Sequence, residues 1–203
     1  MRLMRTGSLK PASLVVSVAI VLIGAGMVGA GYLGQREVRD SLAQEKIVGT
    51  PDMKPAAHPD ASVDCTVADE PIDTGSEARC FARYMRVHAL EATGGKVYAK
   101  MPRFVDKSGR PTNDESTAAT DPKTGRPAEN NARNIWVTQT ALSGALNMAF
   151  FAESVTRFSM AVGAALILVG LVLISLLRTA SGAARSIPRS AKRKPSRRRP
   201  ARG

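Results

Sequence analysis

Residues 158–177 read FSMAVGAALILVGLVLISLL, twenty uncharged positions bounded by Arg157 and Arg178. A helix of about 20 residues rises about 30 Å, the thickness of a bilayer's hydrocarbon core. Only Ser159 and Ser175 interrupt the apolar and small residues of the run. A chain of 203 residues is too short to build a soluble core that encloses such a helix on every side, so the run predicts a transmembrane helix. A second run, 11–35, holds 25 uncharged positions and is densest at 14–34, LVVSVAIVLIGAGMVGAGYLG.

Three readings compete for this second run. Its basic start, the apolar stretch 14–23 and Val28-Gly29-Ala30 have the layout of a signal peptide. Gly24-Ala25-Gly26-Met27-Val28-Gly29 matches G-x-G-x-x-G, in which backbone N–H groups approach a pyrophosphate at a helix N-terminus. That fold needs strands alternating with helices, and residues 35–130 contain no second run of four β-branched or aromatic residues. The third reading, a retained transmembrane anchor, is preferred. The run is long enough to span, and Val38, Leu42 and the charges between Arg36 and Lys46 suggest a helix that continues beyond the membrane.

The charge map supports one architecture. The chain carries 29 Lys and Arg against 17 Asp and Glu, a net charge of +12. Residues 1–10 hold three basic residues and 178–203 hold ten, with no acid in either, which leaves the middle at −1. Basic residues flanking a span are retained in the cytoplasm. The expected fold is therefore an all-α membrane protein with two transmembrane helices and a mostly helical extracytoplasmic segment. Its parts are a basic cytoplasmic N-terminus at 1–11, spans at 12–35 and 158–177, the exported segment 36–157, and a basic cytoplasmic tail at 178–203. Both termini are placed on the cytoplasmic side of the plasma membrane. Composition excludes a collagen-like, disulfide-dense or wholly disordered chain. Small residues suggest how the spans would pack. Gly26, Ala30 and Gly34 recur every four positions, and Ser159, Gly163 and Gly170 can answer from the second span.

In the exported segment, Cys65 and Cys80 are the only cysteines and are expected to form a disulfide. Thr74-Gly75-Ser76-Glu77 reads as a capping box, opening a helix that stops at Gly94-Gly95. Cys80, Tyr84, Val87 and Glu91 share one of its faces, and its apolar side is expected to pack on the extended first helix or on the segment before the second span. Residues 131–153 predict an amphipathic helix leading into the membrane, with Gln139, Thr140, Ser143 and Asn147 near one face and Ile135, Leu142, Leu146 and Ala149 on another. A third span here would have to reverse in the three residues between Glu153 and Arg157, which weighs against it. Residues 102–130 are rich in turn formers and predict a flexible loop, with a repeat, Lys107-Ser108-Gly109-Arg110-Pro111 and Lys123-Thr124-Gly125-Arg126-Pro127, 16 residues apart. The repeat is read as a duplication in a tolerant loop in preference to a pair of basic turns facing an anionic partner.

Four blocks carry a family resemblance: SLAQEKI at 41–47, the cysteine pair, HALEATGGKVYA at 88–99, and NIWV at 134–137. Together they resemble a group of uncharacterised actinobacterial membrane proteins with two spans and an extracytoplasmic loop. Members often carry, by automatic transfer, the label aromatic ring-opening dioxygenase. The resemblance implies the architecture; the label implies non-haem iron held by two histidines and a carboxylate. The chain has two histidines, His58 and His88, and Glu91 lies one helical turn from His88. His58 sits in a Pro-rich connector, so His58 is read as a loop residue and His88 as a helix-surface or interface residue, in preference to a set that converges with Glu91. No catalytic, cofactor or metal set is expected, and the chain is read as non-enzymatic. His88, Glu91, Gly94, Gly95 and Lys96 remain as a candidate interaction surface. In the tail, Lys192, Arg193, Lys194, Arg197, Arg198 and Arg199 are expected to meet anionic lipid. Nucleic acid ranks well behind, because the tail has no aromatic residue to stack on bases. The expected partners are the membrane and another membrane protein or a second copy of the chain.

Overall fold

A computed structural model describes residues 9–185. The order of its main elements is α1 (Leu9–Gln44), α2 (Gly75–Ala92), β1 (Phe104–Val105), β2 (Pro111–Thr112) and α3 (Asn131–Arg185). The fold is mostly helical, and two of its helices, α1 and α3, are long and apolar enough to cross a membrane. The basic tail residues Lys192, Arg193, Lys194, Arg197, Arg198 and Arg199 lie outside the described residues.

Helix α1 runs on past the apolar stretch to Gln44, as the spacing of Val38 and Leu42 predicts, and Lys46 follows it with φ +50°. Helix α3 is continuous for 55 residues. It makes no reversal between Glu153 and Arg157, so the third-span arrangement does not occur. The chain divides into two units, residues 1–26 with 162–203 and residues 27–161.

In the first unit, small residues meet. A Cβ on Gly24 would lie 2.6 Å from the Gly163 carbonyl oxygen, and one on Gly170 would lie 3.0 Å from the Ser17 carbonyl oxygen. Both glycines therefore allow a backbone approach that no other residue would tolerate. Large apolar side chains point the other way: Val15, Leu22 and Leu168 are 68%, 66% and 65% exposed. Gly26 does not take part, since nothing lies within 4 Å of its Cβ position, and Ala30 of the second unit is exposed. The expected Gly26, Ala30, Gly34 stripe is thus corrected. A four-residue step drifts about 40° around a helix, whereas a seven-residue step drifts only about 20° the other way. The buried positions Ser17, Gly24 and Gly31 keep the seven-residue step.

The second unit has an ordinary hydrophobic core. Leu42 of α1, Met53, Val63, Val67 and Ile72 of the connector, Ala78, Cys80, Ala82 and Tyr84 of α2, and Leu146 of α3 pack together. Helix α2 accordingly packs on both α1 and α3. Its capping box is complete: the Thr74 hydroxyl accepts from the Glu77 N–H, and the Glu77 carboxylate accepts from the Thr74 N–H. Gly94 and Gly95 end the helix with φ +61° and +75°. Cys65 and Cys80 lie at disulfide distance, their Cα atoms 6.1 Å apart. Elsewhere in this unit Gly31 and Gly34 both approach Thr156, and the Ser159 hydroxyl donates to the Met27 carbonyl at 3.2 Å.

Two readings of the second unit change. The face of α3 turned inward carries Trp136, Gln139, Ser143 and Leu146, whereas Ile135 and Leu142 are exposed. The polar pair turns inward because it satisfies itself: Gln139 Nε2 donates to Ser143 Oγ at 2.8 Å, and Ser143 Oγ reaches the Ala82 carbonyl at 3.4 Å. Residues 102–130, expected as a flexible loop, hold a defined backbone. Strands β1 and β2 pair antiparallel, and isolated bridges join Phe104 to Glu129, Asp106 to Ala118 and Thr120 to Pro127. The repeat is a pair of Asp-capped turns. Asp106 Oδ1 accepts from the Ser108 N–H and Asp121 Oδ1 from the Lys123 N–H, and Gly109 and Gly125 supply positive φ. Polar turn bonds order this stretch without the apolar periodicity on which the flexible reading relied.

Candidate functional site

The connector between α1 and α2 is irregular but anchored. Gly49 exchanges backbone bonds with residues 69–70, and the Val67 N–H donates to the Met53 carbonyl. Met53 is 2% exposed, which pins the connector between Thr50 and Pro59 to the core. Asp52 is the neighbour of that anchor. A single turn of 3-10 helix, Pro55–Ala57, then delivers His58 onto α2.

His58 stays in the connector, but its ring packs onto α2. Its side chain is 10% exposed, and its ring centroid lies 5.8 Å from that of Tyr84 and 5.4 Å from that of His88. His58 Nδ1 is 3.0 Å from Glu91 Oε1, one turn beyond His88 on α2. His88 Nε2 lies 3.0 Å from Asp52 Oδ2, and His58 Nε2 lies 3.7 Å from the same oxygen. The two histidines, which were not expected to converge, thus meet. The carboxylate between them is Asp52, which sequence reasoning passed over; Glu91 sits behind His58. Thr50 Oγ1 donates to Asp52 Oδ1. That bond is the main reason the Asp52 carboxyl is held below the usual carboxylate range, burial opposing it and the two imidazoles adding to it. Burial pushes the neighbouring Tyr84 hydroxyl up, and that hydroxyl donates to the Cys65 carbonyl at 2.7 Å. An open groove of about 540 Å³ runs beside His58 and Glu91, bordered by Val63, Arg83 and Leu90.

The five residues expected as one surface separate into two groups. His88 and Glu91 join the Asp52–His58 cluster. Gly94, Gly95 and Lys96 are exposed and complete the helix end, where the Gly95 N–H donates to the Leu90 carbonyl at 2.7 Å.

A second junction was missed altogether. Glu153 of α3 has a side chain 2% exposed. Its Oε1 accepts from Gln35 at 3.2 Å, Arg39 at 3.3 Å and Arg157 at 2.7 Å, and its Oε2 accepts from the Gly75 N–H at 2.7 Å. One carboxylate therefore ties α1 and α3 to the N-terminus of α2, where a negative charge also meets the positive end of the helix dipole. Comparison with family models, curated proteins and solved structures returns no match, so the functional reading rests on these residues.

Proposed function

We propose that this chain is a non-enzymatic integral membrane protein of the cell envelope. On this reading α1 and α3 cross the plasma membrane, both termini are cytoplasmic, and residues 36–157 form an extracytoplasmic head. It works by binding, as an accessory subunit of another membrane protein or as a self-associating one. The observation that carries the reading is the burial pattern of the two long helices. Their contact surfaces hold Ser17, Gly24, Gly163 and Gly170, while large apolar side chains such as Val15, Leu22, Leu168 and Val172 face outward. Water would drive the reverse arrangement; lipid accommodates this one. In the second unit α3 also presents apolar side chains outward, Met148, Phe151 and Val155, 64%, 60% and 49% exposed. These residues offer a surface to a partner at the level where the head begins. The basic tail would add contact with anionic lipid.

Purification of the tagged full chain from crosslinked native membranes in mild detergent tests the reading. A second protein, or a second copy of the chain, at near-equal stoichiometry is expected. A chain recovered alone and monomeric would overturn it.

A further inference from the structure

We propose that Asp52, His58 and His88 form a binding site for a borderline divalent transition cation, with Zn2+ the best fit. The proposal stands apart from the binding role above; neither result decides the other. One ligand atom from each residue lies within 4.8 Å of the other two. A tetrahedral ion with bonds of about 2.0–2.2 Å needs ligand atoms about 3.3–3.5 Å apart. The two measured edges, 3.0 Å from His88 Nε2 to Asp52 Oδ2 and 3.7 Å from His58 Nε2 to that oxygen, fall on either side of this value.

The second observation is independent of spacing. Both histidine Nε2 atoms are buried, and neither makes a hydrogen bond. A buried, unsatisfied ring nitrogen is costly, and two facing one carboxylate oxygen require an explanation. The Glu91 contact supplies one. A carboxylate only accepts, so His58 Nδ1 must donate to Glu91; in the neutral ring, Nε2 then carries a lone pair directed at the cluster. A carboxylate behind a ligating imidazole is the usual outer shell of a metal-bound histidine. Thr50 plays the corresponding part for Asp52, engaging Oδ1 and leaving Oδ2 to the two rings. Two imidazoles and one carboxylate favour zinc and its neighbours over Mg2+ or Ca2+, which prefer all-oxygen shells. Three protein ligands leave a fourth position for water. The ion would fasten the connector 50–58 to α2.

The test uses the full chain in detergent, with its cysteine pair oxidised and a histidine-free tag. The protein is stripped with chelator and titrated with Zn2+ in excess Mg2+ by calorimetry. One Zn2+ per chain is expected, and Co2+ in its place should give the strong visible absorption of a four-coordinate site. His88→Ala and Asp52→Asn, both at partly exposed positions, should each abolish the stoichiometric event. Glu91→Gln should weaken it about 10–100-fold. Circular dichroism identifies the variants that keep the helical fold, and His58→Ala joins the set if it does. No stoichiometric binding, or equal binding by wild type and the His88→Ala and Asp52→Asn variants, would overturn the site.

Discussion

The two units solve opposite packing problems. In the first, the buried positions are small or polar and the large apolar side chains face out: Ser17 is 2% exposed while Val15 is 68% exposed. In the second, Met53, Ile72 and Tyr84 are 2%, 1% and 0% exposed, and charges occupy much of the surface. In the lipid setting proposed above, outward-facing Leu and Val would lose nothing, and close backbone approach would be the source of stability left to the first unit. The second unit gains from burying apolar area, and it can hold a buried charge only by surrounding that charge with donors. The difference shows why one rule of burial cannot read the whole chain.

The largest effect expected from breaking this contrast falls on Glu153. Glu153→Ala leaves the Gly75 N–H, Gln35 and two guanidinium groups without their shared acceptor. It should destabilise the second unit by ~3–5 kcal/mol, read as a lower midpoint of denaturant unfolding in detergent. Glu153→Gln keeps part of the bonding and should lose less. Next comes the cysteine pair. Cys65→Ser with Cys80→Ser reopens a loop of sequence separation 15 and should cost ~3 kcal/mol. The expected loss is confined to melting of the second unit, with the α1–α3 contact of the first unchanged; a uniform loss would count against two separable packing regimes.

The first unit is sharpened by a paired substitution. Gly24→Leu drives a side chain into the Gly163 carbonyl and should cost ~1–3 kcal/mol or shift the helices apart. Gly26→Leu, two residues away with open space at its Cβ, should leave thermal stability in detergent unchanged. Equal effects would remove the seven-residue stripe from the account. The smallest effect is local. The Ser108 hydroxyl, with help from the Arg110 and Ser108 N–H groups, holds Asp106 down to about 2. A carboxyl depressed in the folded state contributes order that is fully present above its ordinary value of about 3.9 and is lost as pH falls through the folded value. Amide resonances of Ser108 and Arg110 should therefore keep their folded shifts at pH 4 and collapse near pH 2. Collapse already at pH 4 would contradict the turn geometry.

What could be read from the residues divides along physical lines. The α2 capping box, its glycine stop, the continuation of α1 through Leu42 and the cysteine pairing are signalled by residues at short spacing or by scarcity, and the structure places them as expected. The Gly26 stripe failed because a four-residue repeat looks like a face over one turn and drifts away over three. The inward turn of Gln139 and Ser143 escaped a polarity rule because the pair satisfies itself. Residues 102–130 escaped a periodicity rule because Asp caps and glycines order them. The His58–His88 meeting was hidden by the aperiodic chain between His58 and the start of α2 at Gly75, although a signal existed. These are the only histidines, and Pro51, Pro55 and Pro59 stiffen the connector that carries one of them. Glu153 had a fainter signal, an acid with Arg157 four residues on, placed at the edge of an apolar run.

The central claim is that the outward apolar faces of α1 and α3 sit in lipid with residues 36–157 on the outer side. Single cysteines placed at Ser116 and Ser181 in the full chain, labelled in intact cells with a membrane-impermeant maleimide, test it most directly. Labelling at position 116 without permeabilisation, labelling at 181 only after it, and retention of the chain in carbonate-washed membranes are the predicted results. Release of the chain by carbonate, or labelling of position 181 from outside, would contradict it.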